Sequence, residues 1–281
     1  MYSINGNQAA AQLRFNQWNQ DDIVILHAAT TDLHDCEIVE ISVVDINENI
    51  LFDSLVKPRG EISPEAFEIH GINEEMVKDS PQWLEIWQNL YPILKDKNIL
   101  AYNADFCSRV MIESFKAHFS DWWDESFQNL RDQLDRIDSN FNCVMDTYSD
   151  LIGWDHWVKL RNAADRDLTH RALDSCRATL EVVKKSYKPN FSEMDYKRVL
   201  IHDEYRKNEQ EMDYITSEIE RLAIRQRKLY EDNKKYLTLL LDEQKLEEYI
   251  SAGEVAATKP KGDPFADDGK PIDIPDDDLP F

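Results

Sequence analysis

Apolar positions in this chain first come in short runs. Ile23 to Leu26, Ile38 to Ile46 and Ile50 to Val56 follow one another, and Pro58 ends the third. Runs of this length between polar turns predict strands, and their close spacing predicts an antiparallel meander that opens a mixed sheet. Helical spacing then takes over. Pro64 to Phe67 starts a short helix, and Leu84, Trp87, Leu90, Tyr91 and Leu94 give Pro81 to Leu94 one apolar face. Ile99 to Tyr102 predicts a fourth strand and Ser108 to Phe119 a helix. Asn142 to Met145 predicts a fifth strand and Thr169 to Tyr187 a further helix. Strands interleaved with helices indicate an α/β domain.

Pro189 closes that pattern. Beyond it the chain is charged, with no proline or glycine before Gly253. Met212, Ile215, Ile219, Leu222, Gln226, Leu229, Asn233, Tyr236 and Leu240 alternate at spacings of three and four. This is a heptad seam with Gln226 and Asn233 at polar a positions. Two readings stay open: the stripe packs within its own chain, or it self-associates through 212–240 as a coiled coil. After Gly253 the composition turns to Gly, Pro, Asp and Ala, which predicts a segment without a core of its own. The expected organisation is 1–21 as an N-terminal extension, 22–188 as the α/β domain, 189–252 as a helical or coiled-coil segment, and 253–281 as an acidic tail.

Composition narrows the function. Among 281 residues, 55 are acidic and 32 basic, a formal net charge of -23. A general electrostatic grip on nucleic acid is disfavoured, and basic protein patches are the natural partners. Cys36, Cys107, Cys143 and Cys176 form no CxxC pair, which argues against zinc and suits a reducing compartment. Met1 to Gln20 is polar and lacks a signal-peptide core, and no stretch is long enough for a membrane span. A cytoplasmic protein without a membrane partner is expected.

Five blocks in order carry a resemblance. Residues 23–33 read Ile-Val-Ile-Leu-His-Ala-Ala-Thr-Thr-Asp-Leu. Cys36-Glu37-Ile38-Val39-Glu40-Ile41 is followed by Leu55-Val56-Lys57-Pro58. Pro64-Glu65-Ala66-Phe67-Glu68-Ile69-His70-Gly71-Ile72 comes next, then Tyr102-Asn103-Ala104-Asp105-Phe106-Cys107, then His170-Arg171-Ala172-Leu173-Asp174-Ser175. Over roughly 22–187 the chain resembles the DEDD 3'-5' exonucleases of the DnaQ-like, proofreading-subunit group. The resemblance implies a ribonuclease H-like mixed sheet flanked by helices. It also implies a site in which four carboxylates hold two divalent metals and a histidine acts as general base.

The family slots are degenerate here. His27 stands in the first Asp slot, Ala29 in the Glu slot, Cys107 in the second Asp slot and Ser175 in the third; only the general-base position, His170, is kept. Mg²⁺ needs oxygen ligands, which Ala29 lacks and a soft thiol replaces poorly. The expectation is therefore a pseudoenzyme with no catalytic residues, no metal and no cofactor. The alternative is an active exonuclease using Mg²⁺ or Mn²⁺ at a displaced site, with Asp32, Asp105, Asp146 or Asp174 as substitutes. A residue next to a slot on a helix is rotated by about 100°, which turns Asp174 away. His70 reads as a hydrogen-bonded structural histidine in its block.

The chain finishes Asp276-Asp277-Asp278-Leu279-Pro280-Phe281. From Asp263 onward it is similar to the C-terminal tail of bacterial single-stranded DNA-binding protein (SSB). Seven aspartates against Lys270 make it anionic, and Phe281 offers an aromatic anchor beside its own carboxylate. The resemblance implies docking, through Asp276 to Phe281, on replication, recombination and repair proteins that bind the SSB tip. The leading expectation is an inactive adaptor or competitor, encoded by a phage or mobile element. Besides an active exonuclease recruited by its tail, a non-catalytic module binding single-stranded DNA or a DNA 3' end stays open.

Overall fold

Three strands in sequence build one edge of a five-stranded sheet. β1 (Ile23–Thr30), β2 (Ile38–Asp45) and β3 (Ile50–Leu55) pair antiparallel, as their apolar runs predict. β4 (Asn98–Ala101) joins β1 in parallel, and β5 (Phe141–Cys143) joins β4 in parallel, so the order is β3-β2-β1-β4-β5. β1 thus lies at the centre, and almost every residue of it is buried, as a strand covered on both faces requires. The computed structural model describes residues 4–19, 22–34, 36–119 and 121–251.

Helices supply the two covers. The chain begins with α1 (Gly6–Trp18). Between β3 and β4 lie α2 (Pro64–His70), α3 (Glu74–Val77) and α4 (Trp83–Leu94). Between β4 and β5 lie α5 (Ala104–Lys116) and α6 (Gln128–Asp138). After β5 come α7 (Val144–Ile152), α8 (Leu160–Ala164) and α9 (Ala172–Lys185). The alternating side chains of β1 divide between two cores. Val24, Leu26 and Ala28 pack with α4 and α5, around Trp83, Trp87 and Phe115. Ile23 and Ile25 pack with α1 and α9, around Phe15, Trp18 and Leu180.

Helix α1 was not visible as an apolar stripe. Its inner face carries Gln12 and Asn16 as well as Phe15 and Trp18. Gln12 Nε2 donates to the Ser186 carbonyl at 2.7 Å, and Asn16 Nδ2 donates to the Lys188 and Phe191 carbonyls at 2.7 and 2.8 Å. These amides satisfy the backbone where α9 ends, so the helix buries polar groups at low cost.

The described residues divide into two units, with the boundary between Arg206 and Lys207. A long helix, α10 (Glu193–Leu240), begins in the first unit, where Val199 is buried and Asp203 accepts from the Gly6 amide at 2.5 Å. The second unit holds the rest of α10 and α11 (Glu243–Ser251). The heptad positions fall on the helix, as the spacing predicts. The acidic tail, with Asp276, Asp277, Asp278, Leu279, Pro280 and Phe281, lies outside the described residues. No helix among the described residues is long and apolar enough to cross a membrane.

Candidate functional site

Strand alternation puts His27 and Ala29 on the same face of β1, toward α9. β4 leads through Asn103 into α5; the Asn103 side chain accepts from the Phe106 amide at 3.1 Å and fixes the first turn that carries Cys107. α9 presents Ser175 from its own first turn, and His170 stands just before it. All five slot positions, His27, Ala29, Cys107, His170 and Ser175, line one cleft of about 790 Å³. Lys159 and Arg161, at the start of α8, line it too, as do Tyr102, Phe106 and Trp157.

The side chains of His27, Ala29, Cys107 and Ser175 offer no charged oxygen to a cation. His27 is largely but not fully buried, the least enclosed residue of β1. Burial pushes it down to about 4; Glu40 opposes the change and His170 adds to it, so the ring is neutral near pH 7. Its Nδ1 is buried without a hydrogen-bond partner. Burial raises the Cys107 thiol to about 12, so it stays protonated. Ser175 is 3% exposed and neutral, and Ala29 has no donor atom. A pair of divalent cations needs several charged oxygens, and this donor set does not fit.

Of the four proposed substitutes, Asp32 alone lines the cleft, with Glu65 as the other carboxylate there. Asp174 is turned away. Burial raises its carboxyl, but hydrogen bonds from Thr169 and Arg166 outweigh this and hold it below the usual range. Thr169 donates from its amide at 2.7 Å, and Arg166 pairs with it at 2.9 Å. Asp105 and Asp146 are exposed outside the cleft lining. Among the described residues, no group of three or more His, Cys, Asp or Glu is placed to hold a metal ion.

One acid near the site is committed to structure. Glu40 on β2 is opposite Ala29 in register, so both share a face. Its carboxylate accepts from Arg171 Nε at 2.9 and 3.1 Å and from the Ala172 amide at 2.7 Å. It therefore caps α9 from a neighbouring strand, a favourable place for an anion. The same tie holds the turn at His170, whose φ of 58° is left-handed and costs a non-glycine residue about 1 kcal/mol. His70 is also structural: Nδ1 accepts from the Ile72 amide at 3.0 Å, and Nε2 faces the Thr30 carbonyl at 3.1 Å. With Nδ1 accepting, Nε2 carries the proton and donates to that carbonyl.

Sequence reading missed Glu65, Trp157, Lys159 and Arg161 as cleft residues. The segment from Trp154 to Arg161 has no strong periodicity, but two tryptophans, a lysine and an arginine so close together were a usable signal.

The exonuclease family model RNase_T matches residues 24–183. An uncharacterised exonuclease of Escherichia phage 186 is 30% identical over 188 residues, covering 62% of this chain and 93% of that protein. The DNA polymerase III epsilon subunit of Pasteurella multocida is 32% identical over 83 residues, 28% of this chain and a third (33%) of that subunit. Exonuclease X, solved in complex with 5' overhanging duplex DNA, is 25% identical with a TM-score of 0.41, covering 58% of this chain and 90% of that one. These findings correct the expectation of no cofactor. Exonucleases of this family normally use divalent metals, so cofactor independence does not follow from the substituted slots. What the described residues show is narrower, namely that no cluster suited to an ion is formed. With well over half of its sequence matched, the chain belongs to the exonuclease family.

Proposed function

We propose that this exonuclease-family chain no longer hydrolyses DNA and acts as an adaptor or competitor for proteins that bind the SSB tip. The observation that supports the loss of cutting is the donor set of the cleft: a neutral desolvated histidine, an alanine, a protonated thiol and a serine in the ligand slots. The observation that supports docking is the segment Asp276-Asp277-Asp278-Leu279-Pro280-Phe281. An aromatic anchor behind a run of aspartates fits an apolar socket rimmed by Arg or Lys, and the aspartates steer it there. A phage or mobile element that redirects genome-maintenance enzymes would gain from such a chain, and similarity to a phage 186 protein supports that source.

Full-length protein immobilised in bacterial lysate tests the proposal. Enzymes that recognise the SSB tip should be retained, and a synthetic SSB tail peptide should release them. Retention of the same enzymes by a Phe281→Ala chain would remove the tail from the account.

The cleft favours a second reading beside the first. Phe106 and Trp157 offer ring faces, and Lys159 and Arg161 offer charge, around a space large enough for a nucleotide. Aromatic faces beside cations suit unpaired bases and phosphates. We propose that the cleft binds a DNA 3' end without cutting it. Fluorescence anisotropy with a 3'-overhang oligonucleotide should give affinity that falls with salt; no binding at low salt contradicts this reading.

A further inference from the structure

From the heptad face of α10 we infer that a second copy of this chain binds there, as a parallel, in-register, two-stranded coiled coil. This goes beyond the tail reading and does not depend on it. In the described chain the seam is uncovered. Met212, Ile215, Ile219, Leu222, Leu229, Tyr236 and Leu240 are each between 48% and 66% exposed. α11, in the same unit, contributes no buried residue. Such a row of half-exposed apolar side chains on one face, repeating every 3.5 residues on average, is the surface that a second helix covers by knobs-into-holes packing.

The polar positions choose the partner and its direction. Met212, Ile219, Gln226, Asn233 and Leu240 occupy a; Ile215, Leu222, Leu229 and Tyr236 occupy d. In an antiparallel pair each a residue meets a d residue of the other helix. Every d residue here is apolar or aromatic, so Gln226 and Asn233 would be buried without amide partners, which costs about 1–3 kcal/mol for each unsatisfied group. In a parallel pair aligned in register, each a residue meets its own copy. Gln226 then faces Gln226 and Asn233 faces Asn233, and each amide can both donate and accept. Shifting the register by one heptad would oppose Asn233 and Leu240. One register therefore satisfies both amides.

The flanking positions do not oppose this. In the parallel pair Glu218 faces Ala223, Arg225 faces Tyr230 and Asp232 faces Leu237, so no like charges meet. Covering the seam on two copies removes on the order of 1,500 Å² from water, enough for a stable interface. The parallel arrangement attaches both C-terminal sequences at the same end of the pair. Two tips side by side would raise the apparent affinity for a partner with two sockets without any new contact.

Sedimentation equilibrium on the full chain should give twice the 33.0 kDa chain mass. A monomer or trimer mass overturns the inference. Ile219→Asp with Leu222→Asp should yield a monomer whose first unit melts as before; a persistent dimer would show that the seam is not the interface. Asn233→Cys keeps the seam and tests direction: mild oxidation should join two chains through residue 233, whereas Glu231→Cys, on the outer face, should not be joined. An unlinked Asn233→Cys dimer, or equal linkage at both positions, overturns the parallel register. A Phe281→Ala chain should sediment as the same dimer, so failure of pairing and failure of tail docking are read separately.

Discussion

Lowering the pH from 7 to 5 should destabilise this protein in large part through the ring of His27. Burial lowers its pKa from 6.5 to about 4. The unfolded chain binds the proton below about pH 6.5, and the folded chain refuses it until about pH 4. The unfolded state therefore holds more protons in this window, and stability falls as pH falls. A tenfold difference in proton affinity between the two states is worth about 1.4 kcal/mol, so the loss attributable to His27 is about 2 kcal/mol at pH 5 and about 3 kcal/mol at pH 4. The sequence pI of about 4.6 makes pH 5 a practical lower limit. Carboxylates and His70, which burial also shifts down, titrate on this limb too, so the comparison is with His27→Leu, which fills similar space and cannot be protonated. Urea unfolding of both proteins at pH 7, 6 and 5 isolates the histidine. With a slope near 3 kcal/mol per molar urea, the wild-type midpoint should drop by roughly 0.7 M more than that of the variant. Parallel acid limbs would refute the reasoning, because a histidine that tolerates protonation in place is not the neutral, desolvated group described here.

Glu40→Ala should lower stability by about 2–4 kcal/mol, since it leaves Arg171 and the first amides of α9 without their anion. In a unit of this size that is a fall in melting temperature of roughly 4–15 °C, read by circular dichroism; a change under 2 °C contradicts the capping role. Phe281→Ala in a synthetic tail peptide should weaken binding to an SSB-tip-binding enzyme by roughly thirty-fold, the scale of one aromatic hot spot, and calorimetry showing equal affinity would discard the anchor. Lys159→Ala with Arg161→Ala should reduce the slope of oligonucleotide affinity against salt; an unchanged slope places those cations outside the DNA path.

The first four strands were legible as short apolar runs between polar turns: Ile23, Ile38, Ile50 and Ile99 head segments that the structure makes strands. Helix heads shifted by several residues, since local caps such as Asn103 decide them and periodicity does not. α1 was hidden because a third of its buried residues, Gln12 and Asn16, are amides, and an amide becomes core only when the carbonyls of Ser186, Lys188 and Phe191 are brought to it. His27, Ala29, Cys107, His170 and Ser175 lie in separate linear blocks of the sequence, and one cleft gathers them. The tie that supports His170 was not. Glu40 and Arg171 are 131 residues apart, and nothing local in either segment marks the other as its partner.

The proposed loss of DNA cutting is tested most directly by incubating the full chain, at high concentration, with a 3'-labelled single-stranded oligonucleotide in Mg²⁺ and separately in Mn²⁺. Intact substrate under both conditions, beside an active family member that degrades it, is the predicted result. Progressive shortening from the 3' end that disappears in a His170→Ala chain would contradict the account, because it would require a working hydrolytic centre in the cleft where His27, Ala29, Cys107 and Ser175 now stand.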